Sequence, residues 1–214
     1  MFLMKIFLLL LPCLVLVSCV DNTAQNNTKP RLKIKDTTFV QPEARSNPYA
    51  GVDVSPMDMS YFPVDYPMLK MANPDTIQPF ARVIYSRPHL QGRQLFHGLL
   101  NYGEPWRLGA NEATELDLFA NATIQNKKIK AGRYIIYCIP QVDKWTIVLN
   151  KNIDSWGLKQ DFRKDVDRFT IPVKQTSNHL EYFTMVFEKD KEGANLIMAW
   201  DNVEARLPIA FLDK

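Results

Sequence analysis

The chain has 214 residues, 46% of them hydrophobic, and its 26 Lys and Arg nearly balance 23 Asp and Glu, for a formal net charge of +3. That near balance leaves no electrostatic footprint for nucleic acid and no basic helix for acidic lipid. Three cysteines spread over such a length exclude a disulfide framework.

The first residues carry Lys5 as their only charge, then "IFLLLLPCLVL", and reach "LVSC" at Cys19. This is the layout of a secretory signal peptide. Its apolar core of roughly a dozen residues is too short for a transmembrane span, which needs about 20. Leu16-Val17-Ser18-Cys19 resembles a bacterial lipobox, which implies that residues 1–18 are removed and that Cys19 becomes a lipidated N-terminus. Each buried acyl methylene contributes ~0.8 kcal/mol and two or more chains give a stable anchor, so the expected location is a membrane surface in the cell envelope. Cys13 leaves with the signal peptide and Cys19 carries lipid, so Cys138 is the lone remaining thiol, expected as a small buried hydrophobe within "YIIYCIP".

Residues 19–50, rich in Asn, Thr, Gln, Lys and Pro, cannot offset the entropy of ordering and read as a mostly flexible linker. Residues 51–78 combine Pro56, Pro63, Pro67 and Pro74 with Met, Tyr and Phe. The prolines argue against a regular helix, and the apolar groups need burial, so this stretch is expected to be an extended proline-rich arm across the body. Residues 79–214 then form the folded domain, in which the period is two. Leu116 and Leu118 alternate with Glu115 and Asp117, and Phe183, Met185 and Phe187 alternate with Tyr182 and Thr184. Ala194, Leu196, Met198 and Trp200 face one way, Asp201-Asn202 is read as a turn, and Val203, Ala205, Leu207 and Ile209 continue. Asn126-Lys127 is a tight-turn candidate; "RYIIYCI", apolar on both faces, belongs in the middle of its sheet with "KWTIVLN" as antiparallel neighbour; and Pro172 places "RFTIPV" at an edge. Residues 151–164 have room for one helical turn. The predicted fold is all-β, a single antiparallel β-sandwich of jelly-roll type.

The stretch "YSRPHLQGRQLFHGLLNYGEPWRLGANEAT", residues 85–114, gathers Arg87, Arg93 and Arg107 with Tyr102, Trp106, Asn111 and Glu112. Arginine forks bind carboxylate or phosphate through two parallel bonds and stack on aromatic rings. A loop that brings them together on a β scaffold is a candidate site for a small polar or anionic ligand. The same arginines can instead bond to backbone carbonyls and to Glu104, Glu112 or Glu115, with Trp106 burying its ring and Gly92, Gly98, Gly103 and Gly109 serving as turn residues.

Catalytic signatures are absent. There is no G-x-S-x-G elbow, and His89, His97 and His179 lack the spacing that puts two imidazoles on one metal. Glu112 with Glu115 could imitate a pair of glycosidase acids, but Glu115 is most simply the outward partner of Leu116. No enzyme activity, cofactor or metal is expected. Asn26-Asn27-Thr28 and Asn121-Ala122-Thr123 match the N-glycosylation sequon, and Asp36-Thr37-Thr38 and Asp75-Thr76-Ile77 resemble a short O-glycosylation motif of Bacteroidota envelope proteins.

Taken together, "YSRPHLQGRQLF", "YGEPWRLGANEAT" and "AGRY", with "KWTIVLNKN" and "SWG", resemble domain-of-unknown-function family 2911 over about residues 79–209. His97 and Asn101 depart from that family's usual Gly and Pro. The resemblance implies a Bacteroidota, Gram-negative envelope protein anchored by lipid in the outer membrane, and it brings no activity with it. Two roles follow as expectations: a binding module using loop 86–112, or an accessory subunit docking on an outer-membrane protein complex through the arm and a patch of Met57, Met59, Tyr61 and Phe62. A hydrolase is the third.

Overall fold

Strands that alternate apolar and polar side chains bury one face only, so a chain built from them must bring those faces together. The computed structural model, which describes residues 53–211, does this with one sheet. The signal peptide, Cys19 with its proposed lipid, the 19–50 linker, the Asn26 sequon and the Asp36 motif lie outside the described residues.

The strands are β1 (Met57–Phe62), β2 (Ala81–Ser86), β3 (Glu115–Leu118), β4 (Ala122–Ile124), β5 (Lys127–Ile129), β6 (Gly132–Pro140), β7 (Lys144–Asn150), β8 (Asp165–Asp190) and β9 (Gly193–Phe211). Their order in the sheet is β1-β2-β3-β6-β7-β8-β9-β4-β5, with every pairing antiparallel. The all-β, antiparallel expectation holds. The facing layers come from a single open sheet that curls back on itself. The curl brings the chain just after β2 onto the second half of β8, where Phe183 N–H donates to Pro88 O at 2.9 Å and Leu90 N–H to Glu181 O at 3.0 Å. It also sets Ser60 of β1 against β8, its hydroxyl accepting from Phe187 N–H at 3.2 Å.

The bend is made in β8 and β9. From Gln175↔Val203 to Thr184↔Ala199, nine steps along β8 are matched by four along β9, so β8 bulges out and turns. On β9 the buried series 194, 196, 198, 200 changes phase to 203, 205, 207, 209 at Asp201, whose φ is 54°. The expected turn at Asp201-Asn202 is therefore a bulge within one 19-residue strand. A phase slip of one residue in a period-two pattern fits either device, and here the partner strand continues past it.

Other particulars sharpen or correct the expectations. The β4-β5 hairpin turns on Gln125 and Asn126, both at positive φ, with Ile124 paired to Lys127; the turn sits one residue earlier than expected. β6 lies between β3 and β7, as its two apolar faces require. Residues 165–172 of β8 pair with β7 alone, and the ladder to β9 begins at Val173, which accommodates Pro172. A single 3-10 turn, Phe162–Lys164, occupies the 151–164 segment. The proline-rich arm corresponds to edge strand β1 and a short helix, α1 (Tyr66–Ala72). Pro67 falls in the first turn of that helix, where its missing N–H has no intrahelical partner to lose; this is why a seven-residue helix survives the proline spacing.

The core runs between the layers through Val83, Leu116, Ile136, Ile147, Phe169, Met185, Leu196 and Leu207, all almost fully buried. Each such side chain contributes about 1.5–3 kcal/mol relative to exposure. Cys138 lies among them, free and fully buried, and burial pushes its thiol up from the ordinary value. Asp117, expected on the polar face of β3, is nearly buried. It accepts from Arg82 Nε and Arg133 Nε, each at 3.0 Å, so its charge is compensated on both sides.

Candidate functional site

The loop between β2 and β3 is stitched to the sheet for much of its length. Gly103 N–H donates to Pro140 O at 2.8 Å, and Trp106 and Cys138 exchange both backbone bonds at 2.7 and 2.8 Å, so residues 103–106 run along β6. The bridge to β6 sends Trp106 inward, and Leu108, at φ 54°, turns the chain so that its side chain is buried too, with Arg107 between them on the outer side. Trp106 packs its ring against Trp145, Phe183 and Trp200 at centroid distances of 6.0, 4.8 and 5.7 Å. Its indole N–H donates to Gly109 O at 3.3 Å.

The three arginines divide. Arg87 faces the protein: Nε donates to Phe183 O at 3.3 Å, NH2 to Thr184 Oγ1 at 3.4 Å, and NH1 lies 3.3 Å from Asp58 Oδ2. Arg93 closes its own turn by donating to Leu90 O at 2.8 Å and His89 O at 3.0 Å. Both follow the scaffold alternative, through backbone carbonyls and Asp58 rather than the glutamates named for it. Asn111, at φ 56°, ties the loop to the start of the described chain through Asp53 Oδ2 at 2.7 Å. Tyr102 stacks on Phe96 at 4.1 Å, and burial raises its phenol. Glu112 is exposed. His89 stacks on Tyr182 at 5.2 Å, and its Nε2 is buried without a partner.

Arg107 is different. It makes one hydrogen bond, from NH1 to Trp156 O at 3.4 Å, and no carboxylate reaches salt-bridge distance of it among the described residues. Burial pulls its guanidinium down from the ordinary value, opposed by the charge of Glu112. It lines a cleft of about 300 Å³ with Leu99, Leu100, Trp106, Leu158 and Trp200 as apolar walls and Asn101 and Glu104 among its polar groups. Of the seven residues that the sequence pointed to, Trp106 and Arg107 line this cleft; Arg87, Arg93, Tyr102, Asn111 and Glu112 do not.

The cleft's far wall comes from the segment after β7, which sequence reasoning did not connect with the loop. Gly157 has φ +74°, and a Cβ there would lie 2.9 Å from Ala113 Cβ and 3.1 Å from Arg107 Cβ. Glycine alone lets this wall close on Arg107. The local signal that separates the arginines is the pair of large apolar residues in "WRL", both of which are buried and leave Arg107 between them facing out. Among the described residues no group of His, Cys, Asp and Glu is arranged to hold a metal, and no helix is long and apolar enough to cross a membrane.

No curated protein and no solved structure matches the chain. A family model described as "Protein of unknown function (DUF2911)" matches residues 75–209, a span that runs from just after α1 to near the end of β9 and takes in the whole Arg107 cleft. With well over half of its residues inside that match, the chain belongs to the DUF2911 family.

Proposed function

We propose that this protein is a binding module of the cell envelope, held at the outer membrane by lipid on Cys19, whose β domain takes a small ligand in the cleft beside Arg107. The observation that carries the reading is the guanidinium itself: it is partly buried in a cleft that Trp106 and Leu158 also line, and no carboxylate lies within salt-bridge distance of it among the described residues. Concave sites that join apolar side chains to a few well-placed polar groups are the usual form of small-molecule sites. Among the described residues Glu104 is the only carboxylate lining the cleft and no histidine joins it, which favours binding over hydrolysis. The anchor reading rests on the lipobox-like "LVSC". Labelled palmitate should enter the wild type and be lost from Cys19→Ala; equal labelling of the two removes the anchor. For the cleft, indole N–H signals of Trp106 and Trp200 should shift on titration with a mixture of small acids, alcohols and amines. Silence at both indoles would remove the cleft as a site.

Docking on an outer-membrane protein complex is the second reading, and one observation favours it. Met57 and Met59 of β1 are each 51% exposed, and Met68 and Met71 of α1 are 73% and 83% exposed. Tyr66 ties the two elements together by packing on Tyr61 at 4.9 Å. Of the four residues expected in the patch, Phe62 is buried instead, stacked on Phe211 at 5.3 Å. In-cell photocrosslinking from Met59 and Met71 tests it: a discrete partner band supports docking, and its absence removes it.

A further inference from the structure

Resting on the cleft reading above, we infer that the ligand is an amphipathic monocarboxylate, its carboxylate on Arg107 and its apolar body against Leu99, Leu100, Leu158 and the edge of Trp106. A guanidinium has five N–H donors in a planar fork. Arg107 uses one, over a long 3.4 Å bond to Trp156 O, so most of the fork is free to receive two oxygens at once. Every other arginine side chain of this loop has its donors turned onto the protein. The Arg107 fork thus departs from the pattern of its own neighbours.

The rest of the cleft narrows the class. Glu104 lines the same space, so a phosphate monoester brings a second negative charge toward a carboxylate, whereas a monoanion is neutralised by Arg107 alone. The lining joins three leucines and two tryptophans to Asn101, Glu104 and Arg107, so an apolar body has surface to cover, while the second carboxylate of a small dicarboxylate would meet Glu104 and no second cation. The volume of about 300 Å³ sits at the low end of small-molecule sites, enough for an acid of roughly six to ten carbons and too little for a long acyl chain. Leu158 is 71% exposed and stands at the rim, where an apolar tail enters.

The test uses the full chain as the cell processes it, with the Trp106 indole N–H as reporter. It is titrated separately with 4-phenylbutyrate, the matched alcohol 4-phenylbutanol, and inorganic phosphate. The acid should saturate the reporter at a concentration about 10- to 100-fold below the alcohol, the margin of a charge-assisted pair over its neutral analogue, and phosphate should not move it. Arg107→Gln should bring the acid to the alcohol's level while leaving the alcohol unchanged. Leu158→Glu, a substitution at an exposed position that cannot empty the core, should weaken both probes by removing apolar wall, and the acid more than the alcohol because the added carboxylate repels only the acid. Equal affinity for acid and alcohol, or an Arg107→Gln chain that binds the acid undiminished, overturns the carboxylate assignment and leaves the cleft as a site. Saturation by phosphate overturns the ligand class in the same way. If none of the three probes shifts the Trp106 indole, the inference falls together with the cleft reading.

Discussion

Replacing Arg87 and Arg107 separately by alanine should have unequal consequences, although the two residues share a loop. Arg87 gives up two hydrogen bonds to β8, at 3.3 and 3.4 Å, and a 3.3 Å ion pair with Asp58 between side chains 35% and 41% exposed. Its guanidinium also lies 5.8 Å from the Tyr182 ring. The half-exposed ion pair is worth up to ~1 kcal/mol, the long hydrogen bonds together about 1–2 kcal/mol, and the ring contact about 0.5 kcal/mol. A loss of roughly 2–3 kcal/mol corresponds to a Tm lower by about 5–10 °C for a domain of this size. Arg107 gives up one long bond and releases a cation held in a poorly solvated place, so Arg107→Ala should stay within about 1 kcal/mol of the wild type. Paired thermal and urea unfolding of the two variants decides the matter. If Arg107→Ala costs as much as Arg87→Ala, the cation is part of the scaffold and the distinction between them is wrong.

Three further outcomes follow from the same reasoning. Asp117→Asn leaves Arg82 and Arg133 facing each other without the anion between them, and should cost about 2–3 kcal/mol by urea unfolding, less than a fully buried pair because Arg133 is 45% exposed; an unchanged midpoint would show that solvent already screens the trio. The phenol of Tyr85, its ring buried edge-on against Phe183, is pushed up to about 12, chiefly by burial. A raised value favours the protonated folded form, so this stability is complete below pH ~10 and lost between about pH 10 and 12, of order 2 kcal/mol. Phenolate absorbance should rise together with unfolding there, and Tyr85→Phe should flatten the loss. Gly157→Ala combines a positive φ, costing about 1 kcal/mol, with a Cβ 2.9 Å from Ala113 Cβ; it should lower stability and shift the Trp106 indole signal, and an unmoved indole would mean that the wall is not held at this contact.

Much of the sheet was legible because half-buried strands must alternate. Phe183, Met185 and Phe187, then Ala194 through Ile209, are buried where the pattern placed them. What alternation cannot express is connectivity. A bulge and a turn both shift the phase by one residue, so β9 reads as two strands until its partner is known. Proline spacing in 51–78 argues against a long helix, but not one that keeps Pro67 in its first turn. Asp117 looks solvent-facing beside Leu116 and Leu118, and becomes buried because Arg82 and Arg133 arrive from the neighbouring strands.

The candidate loop was found from composition, whereas its division into scaffold and site depended on distant residues. Arg87 bonds to a carbonyl 96 positions away, and Arg107 to one 49 positions away. No local pattern fixes such partners. The direction of each side chain, however, follows from backbone that is locally determined. Arg87 leaves the end of β2 toward β8, and Arg93 sits where Gln91 and Gly92 both take positive φ, so its fork meets the carbonyls of its own turn. Arg107 lies between two residues drawn inward, Trp106 by its bridge to β6 and the aromatic cluster, and Leu108 by a turn at φ 54° that buries it completely. Strand pairing before Arg107 and a left-handed residue after it leave its cation on the outer side, and Gly157 lets the segment after β7 close against its Cβ. A short bridge to β6 and the turn that follows it, rather than a continued strand, place the loop's one under-partnered guanidinium in a cleft.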